Sequence, residues 1–505
     1  MTLAGYTITF GVIYLIATLA IGVWAWKKTA NTPEDFFMAS RSFGTMVLLW
    51  SIFATNMSAV FILGNPGQAY RTGAGAYGYM ATATAIGVVF MTYFIGYRAW
   101  LLGKARGYMT PTEMFSRRWD SQPINIVLFL MYFVFTIGIA MTAIMGVGLT
   151  TEALTDKIIP FWAGSVAAAV VILIYTAIGG MRGTAWTNVL QGFLFQIFLV
   201  GAFLLIAGNV GGLDAVTNKL LSEAPQLLAK QGNYTPQQWF SWVFIPPMAV
   251  LAFPHVFVRV MAAKSHVAIK RYTYLFSIVY LLGAIPVLTI GLWGRALIPG
   301  LQGPASDSIL PMMAARYLHP VVAGFALAAV LSAAMSTLDA MVLTLSALFT
   351  RDILGSYTRM SERQQTNWGR ILVVVFTLAA LVGALTRPGT IFYIAGIAFT
   401  GYVMTVPMIF AGFYWKRSTK WGILSALVVS SILLPIYEFT PWLAWSTFGF
   451  MSVVPLLVVN VVLIVGVSYL TKAPEKRFVD EFFDVLDPIF SRKPAKAPEL
   501  RPGEA

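Results

Sequence analysis

Apolar residues run along this chain in long blocks, each near the twenty residues an α-helix needs to cross the hydrocarbon core of a bilayer. The blocks lie near residues 3–26, 44–70, 77–103, 122–150, 160–180, 185–208, 239–262, 268–298, 320–349, 369–386, 389–414, 419–438 and 444–470. They predict an all-α polytopic membrane protein with about thirteen transmembrane helices. Two blocks depart from a lipid-facing pattern. The stretch SIFATNMSAVFILGNPGQAY (51–70) carries Thr55, Asn56 and Ser58 in mid-span and Asn65-Pro66-Gly67 about two turns later. The stretch WFSWVFIPPMAVLAFPHVFVRVMA (239–262) is interrupted by Pro246-Pro247 and again by Pro254. Both are expected to be broken helices, the first at Asn-Pro-Gly and around Ala54–Ser58. Breaks at membrane depth free backbone groups and persist only where they are buried or line a cavity.

The second broken block comes five blocks after the first, which is the spacing of an inverted repeat. The expected division is a first helix and cytoplasmic loop (1–43), a first repeat (44–208), an extracytoplasmic loop (209–238) and a second repeat (239–414). Two further spans (415–470) and a basic cytoplasmic tail (471–505) complete it. Within the outer loop, LDAVTNKLLSEAPQLL has helical spacing of its apolar residues. On the other side, TPTEMFSRRW places Thr110, then Pro111, then Glu113 as a capped short helix requires. The tail after Leu470 reads as polar and flexible.

Composition agrees: 58% of the 505 residues are hydrophobic and 11% are charged. Cysteine is absent, which excludes disulfides and thiol chemistry, and His255, His266 and His319 are too scattered to suggest a metal cluster. The formal charge of +14 could suggest nucleic acid, but its distribution excludes that reading. Lys27, Lys28, Arg41, Arg98, Arg106, Arg118, Arg259, Arg351, Lys416 and the tail fall on one side of the predicted spans; Arg71, Lys157, Arg295 and a few others fall opposite, a ratio of roughly four to one. The basic side is the cytoplasmic one, so the N-terminus is expected outside and the C-terminus inside, in a multi-pass protein of the cell (inner) membrane.

Three stretches could carry chemistry. The first is 51–70. The second, YTAIGGMRGTAWTNVLQ (175–191), pairs a Gly179-Gly180 helix stop with a cytoplasmic turn carrying Arg182, followed by Thr187, Asn188 and Gln191. In the third, LSAAMSTLDAMVLTLSALFTRDIL (331–354), Ser332, Ser336 and Asp339 share a helical face and Thr337 lies beside them. Arg98 and Arg259 lie close enough to the cytoplasmic end to snorkel. Asp339 is then the clearest ionisable group within a span, and such a group is a functional candidate. A small hard cation takes about six oxygens. Carbonyls of the Ala54–Ser58 break and the hydroxyls of Ser336 and Thr337 have the right chemistry to supply them.

These residues resemble the sodium:solute symporter family, which includes bacterial proline and pantothenate transporters. The matching pieces are DFFMASRSFG (35–44), ATNMSAVFILGNPGQAY (54–70), YTAIGGMRGTAWTNVLQ, FPHVFVRVMAAKS (253–265) and AAMSTLDAMVLTLSALFTRDI (333–353), in the family's order over roughly residues 5–470. The resemblance implies a LeuT-like inverted five-helix repeat. It implies a sodium site made of the carbonyls of Ala54, Met57 and Ala333 and the hydroxyls of Ser336 and Thr337. Asn56 and Asn188 stand where the proline transporters have aspartates, which points to one cation per cycle, with Asn188 and Asp339 as coupling candidates and a proton as an alternative ion.

The implied function is sodium-coupled import of a small organic solute by alternating access, by a monomer in the lipid bilayer, with no enzymatic activity. Asn56, Ser58 and Phe61, with Phe253 and the Tyr393–Tyr402 region, are expected to line the solute pocket. A carboxylate is the expected solute; an amino acid or other zwitterionic or neutral solute is the alternative, and a transporter-like membrane sensor a more distant one.

Overall fold

The computed structural model describes residues 1–26 and 32–490; Lys27, Lys28 and the tail from 491 lie outside them. The described residues are helical apart from connecting segments and one isolated parallel bridge between Phe43 and Ala263. Among the described residues ten helices are long and apolar enough to cross a membrane, and two bent pairs bring the number to twelve if each is one span: Thr45–Asn56 with Val60–Thr72 at 56°, and Pro236–Ala252 with Pro254–Met261 at 51°. The fifth expected span is the leg beginning with the apolar stretch Phe161–Ile174. It runs into the sixth through a turn compressed to one non-helical residue, Gly180 (φ 55°, ψ −157°). A Cβ there would sit 2.6 Å from the Phe36 ring, and the positive φ itself favours glycine.

Each broken helix bends at one of the two positions expected of it and stays helical at the other. Asn65-Pro66-Gly67 lies inside a helix, directly after a π-helical turn at Val60–Gly64. The wider turn accommodates a proline ring that would collide with the carbonyl of an ordinary preceding turn. The chain bends instead at Met57 (φ −88°, ψ 67°). Likewise Pro246-Pro247 stays within Pro236–Ala252, and the break comes at Phe253 (φ −62°, ψ 121°), the residue before Pro254. A residue preceding proline is pushed out of the helical region into extended backbone.

Pro320–Tyr357 forms the axis of the bundle. Every residue from Ala326 to Ala347 is buried, packed by Leu3–Trp26, Gln122–Leu154, Phe161–Asn209 and Glu362–Leu385. On the basic side the short helix Pro111–Trp119 is capped as expected: Thr110 Oγ1 accepts the Glu113 N–H at 3.0 Å, and Glu113 Oε2 accepts the Met109 N–H at 2.9 Å. The expected outer-loop helix is Gly212–Glu223. The tail departs from expectation. Lys476–Phe490 is a docked helix with Val479, Phe482, Phe483 and Leu486 buried, and its Phe490 ring lies 3.8 Å from the Arg98 guanidinium.

Candidate cation and solute site

The helix Thr45–Asn56 ends by losing its register. Met57 turns the chain, so no backbone amide closes on the carbonyls of Ala54 and Thr55. Buried carbonyls need partners, and the axial helix supplies them. Ser336 Oγ donates to Ala54 O at 2.8 Å, and Thr337 Oγ1 donates to Thr55 O at 3.0 Å. Both hydroxyls also lie 3.1 Å from Ala333 O. Ala54, Ala333, Ser336 and Thr337, four of the five expected cation ligands, therefore meet in one buried cluster. The Thr55 carbonyl, which was not expected, stands with them, while Met57 lies at the break beside the cluster and lines the neighbouring cavity.

The donor set suits a small monovalent cation. Five oxygens converge without a carboxylate among them, and rotation of two hydroxyl hydrogens presents their lone pairs inward. Among the described residues no group of three His, Cys, Asp or Glu could hold a metal ion.

One turn along the axial helix, Asp339 is buried and interacts electrostatically with Arg259 and with Tyr14. Arg259 does not snorkel. It is fully buried, donating from Nε to Ser51 Oγ at 3.0 Å and from Nη1 to the His255 carbonyl at 3.3 Å. Asp339 thus has a buried cation in electrostatic reach. Asn188 is fully buried, with neither amide atom hydrogen-bonded. It lies one turn before Gly192, where a Cβ would meet Trp50 at 2.9 Å and Ala54 at 3.4 Å. Its helix therefore abuts the broken one beside the cation cluster.

Next to the break lies a cavity of about 40 Å³ whose lining includes Asn56, Phe61, Asn65, Tyr280, Phe253 and Phe399. Asn56, Phe61 and Phe253 are where the solute pocket was expected. Ser58 is not among the lining residues. Its Oγ accepts the Val60 N–H at 3.1 Å, and its carbonyl accepts Phe61 N–H at 2.9 Å, so it starts the second leg of the broken helix. Tyr402 stacks edge-on against Phe253 at 4.8 Å and bonds Thr136 at 2.6 Å. Asn65 is the residue that the sequence reading left out of the pocket. It is fully buried, its amide makes no hydrogen bond, and it faces the same cavity as the equally unpartnered Asn56 amide. Two unpaired buried amides are costly unless something else pairs with them. An asparagine directly before a proline inside an apolar block was the available signal.

The sodium:solute symporter family model matches residues 36–430. The sodium/pantothenate symporter of Escherichia coli (strain K12) is 29% identical over 481 residues, covering 92% of this chain and 96% of that protein. The osmoregulated proline transporter OpuE of Bacillus subtilis (strain 168) is 26% identical over 499 residues, covering 95% and 98%. A Na+-coupled sialic acid symporter solved in a substrate-bound outward-open state superposes with a TM-score of 0.78 at 18% identity, over 93% of this chain and 99% of that one. Its likeness establishes the LeuT-like fold. The match over most of the chain, with the broken helices where the motifs place them, makes this protein a member of the sodium:solute symporter family.

Proposed function

We propose that the protein is a sodium-coupled importer of a small organic solute. Sodium binds where the Ser336 and Thr337 hydroxyls now satisfy the bare carbonyls of Ala54 and Thr55, and that cluster is the observation that carries the reading. A cation there ties the broken helix to the axial helix and steadies one face of the solute cavity. Solute and ion then bind cooperatively, because each orders what the other needs. The two bent pairs begin the two repeats, 44–208 and 239–414, and rocking of one group of helices against the other alternates access. The basic side is cytoplasmic, with the N-terminus outside. The solute is a small carboxylate. Phe253, in the cavity wall, precedes the N-terminus of Pro254–Met261, whose dipole favours an anion; Pro254 has no N–H and the Val256 N–H bonds Phe253 O, which leaves the His255 N–H to offer. The sodium/pantothenate relative supports that class. In the present conformation the cavity holds only a few waters, so solute enters in another state of the cycle.

The test is uptake of radiolabelled pantothenate, proline and lactate into proteoliposomes under an imposed sodium gradient. Uptake of at least one is expected to collapse when sodium is replaced by potassium. Uptake indifferent to both sodium and proton gradients defeats the proposal.

A further inference from the structure

Away from the central site, the first leg of the second broken helix, Pro236–Ala252, walls a groove of about 620 Å³ together with Val406–Tyr414 and the last span, Val453–Leu470. The groove opens on the surface, where its lining residues Phe244, Tyr414, Val461 and Val465 are exposed. Two contacts fix how its walls run. Asn460 Nδ2 donates to Met404 O at 3.0 Å near one end, and the Trp415 and Tyr469 rings meet at 5.7 Å at the other. Both helices therefore lead side by side to the basic side of the molecule. Val406–Tyr414 spans about 12 Å at the helical rise, most of the hydrocarbon depth of one leaflet.

The groove is graded along its length. Val406, Phe410, Leu457, Val461 and Ile464 offer it hydrocarbon alone, whereas Tyr414 and Trp415, with a hydroxyl and an indole N–H, come at the basic end. Cations stand beyond them. Arg98 packs against the Tyr414 and Phe490 rings, which leaves the edge of its guanidinium for hydrogen bonds. That edge spends one N–H on Phe94 O at 3.4 Å, a carbonyl that also takes the Tyr414 hydroxyl at 3.0 Å. Arg417 ties the ends of two walls together, donating from Nη2 to Thr471 O at 2.7 Å, while its buried Nη1 has no hydrogen-bond partner. Among the described residues neither arginine has an acid within ion-pair distance. A second groove of about 620 Å³, lined by Met131, Ile394 and Ile432 among others, makes the contrast: the cation beside it, Arg387, next to the lining residue Pro388, is already paired with Glu152 at 3.3 Å.

We propose that this groove is a binding site for an anionic phospholipid of the basic-side leaflet. An acyl chain lies between Pro236–Ala252 and the last span, and the acidic headgroup sits at the end where Arg98 and Arg417 stand. The grading selects an amphiphile: an apolar helix of another protein would cover the hydrocarbon stretch and leave both arginines without a counter-charge. Anionic headgroups supply that charge at the depth where a basic side chain meets the leaflet surface. Part of the outer packing of the second broken helix is then lipid rather than protein.

The test reads lipid rather than transport. The full chain in detergent is titrated with phosphatidylglycerol and phosphatidylcholine of identical acyl chains, and bound lipid is counted by native mass spectrometry. Phosphatidylglycerol is expected to bind about tenfold more tightly, and glycerol 3-phosphate, which has the acidic group without the chains, should not displace it. Arg98→Gln combined with Arg417→Gln should bring phosphatidylglycerol down to the level of phosphatidylcholine. Arg417→Gln alone, which leaves the stacked Arg98 in place, should cost about threefold. Val461→Trp fills the groove from an exposed position and should weaken both lipids, whereas Ile394→Trp in the second groove should leave the preference unchanged. Thermal unfolding gives an independent reading: phosphatidylglycerol should raise the wild-type midpoint more than phosphatidylcholine does, and lose that advantage in the arginine variants. Equal binding of the two lipids, displacement by glycerol 3-phosphate, or a preference indifferent to both arginine variants overturns the proposal. So does binding untouched by Val461→Trp, or a second copy of the chain bound in place of lipid.

Discussion

The two broken helices bend by nearly the same angle, 56° and 51°, but for different reasons and with different chemistry left at the bend. At Phe253 the cause is local: Pro254 excludes the helical conformation from the residue before it. What surrounds that bend is aromatic, with Phe253 stacked on His255 at 5.3 Å and packed on Phe399 and Tyr402. At Met57 no proline is present. The bend persists because hydroxyls of a neighbouring helix satisfy the carbonyls it exposes, and because Ser58 restarts the next leg. A bend therefore does not name its ligand. The groups facing it do, and they divide the labour between an oxygen cluster for the cation and an aromatic and amide wall for the solute.

The sharpest way to break this comparison is at the oxygen cluster. Ser336→Ala and Thr337→Ala are each expected to raise the sodium concentration for half-maximal uptake by about tenfold or more, and the double variant to abolish sodium stimulation. Each also strands a buried carbonyl, at a cost to stability on the order of 1–3 kcal/mol. Thermal unfolding with and without sodium separates the two effects, because the ion should stabilise the wild type most, each single variant less at the same concentration, and the double variant not at all. Phe253→Ala is the reciprocal probe. Its half-saturating solute concentration should rise several-fold, roughly 1 kcal/mol, while the sodium midpoint stays within a factor of about two. A Phe253 variant that shifts the sodium requirement as far as Thr337→Ala does would merge the two bends into one site.

Outside the spans, Asp307 tests whether the outer end of the first broken helix is held electrostatically. Burial pushes its carboxyl up to about 6, against the pull of Arg71 and the Ile391 N–H. The ordinary value lies near 4, so between about pH 4 and pH 6 the folded protein binds more protons here than the unfolded chain. Stability from this group therefore falls as pH rises through that window and is greatest below it. Thermal unfolding followed from pH 4.5 to 7.5 should show that trend weakened in Asp307→Asn. The smallest expected effect is Ser58→Ala, which removes the acceptor for the Val60 N–H. It should lower stability by about 1 kcal/mol and leave the sodium midpoint unmoved, whereas a Ser58 that binds solute would shift uptake affinity.

Much of this was legible before the structure. The apolar blocks located the spans, and Ser336-Thr337 did meet Ala54 across 282 residues of sequence. What could not be read was which breaker breaks. Asn-Pro-Gly is the strongest local signal in the second span, yet a π-helical turn absorbs it. The bend at Met57 falls within the expected Ala54–Ser58 break, but what holds it there is a partner helix, which local composition does not encode. Arg259 looked like a snorkelling residue from its distance to the span end, but three-dimensional packing encloses it with Ser51 and Asp339 in reach. The tail misled for a related reason. A 15-residue amphipathic segment is marginal as an isolated helix, and only the surface it lands on, with Tyr108, Arg118 and Tyr97 against its rings, makes it one.

That landing has a mechanical consequence. The Arg98 guanidinium lies between the rings of Tyr414 and Phe490, at 4.2 and 3.8 Å, and Lys416 bonds Asp487 at 2.6 Å. An amphipathic helix has one apolar face, and a face occupied by protein is withdrawn from lipid. Lys476–Phe490 therefore acts as a strap rather than a membrane float. It splices the last span, through its own covalent chain, to the basic-side end of Tyr77–Arg106, so a tilt of either must load the other.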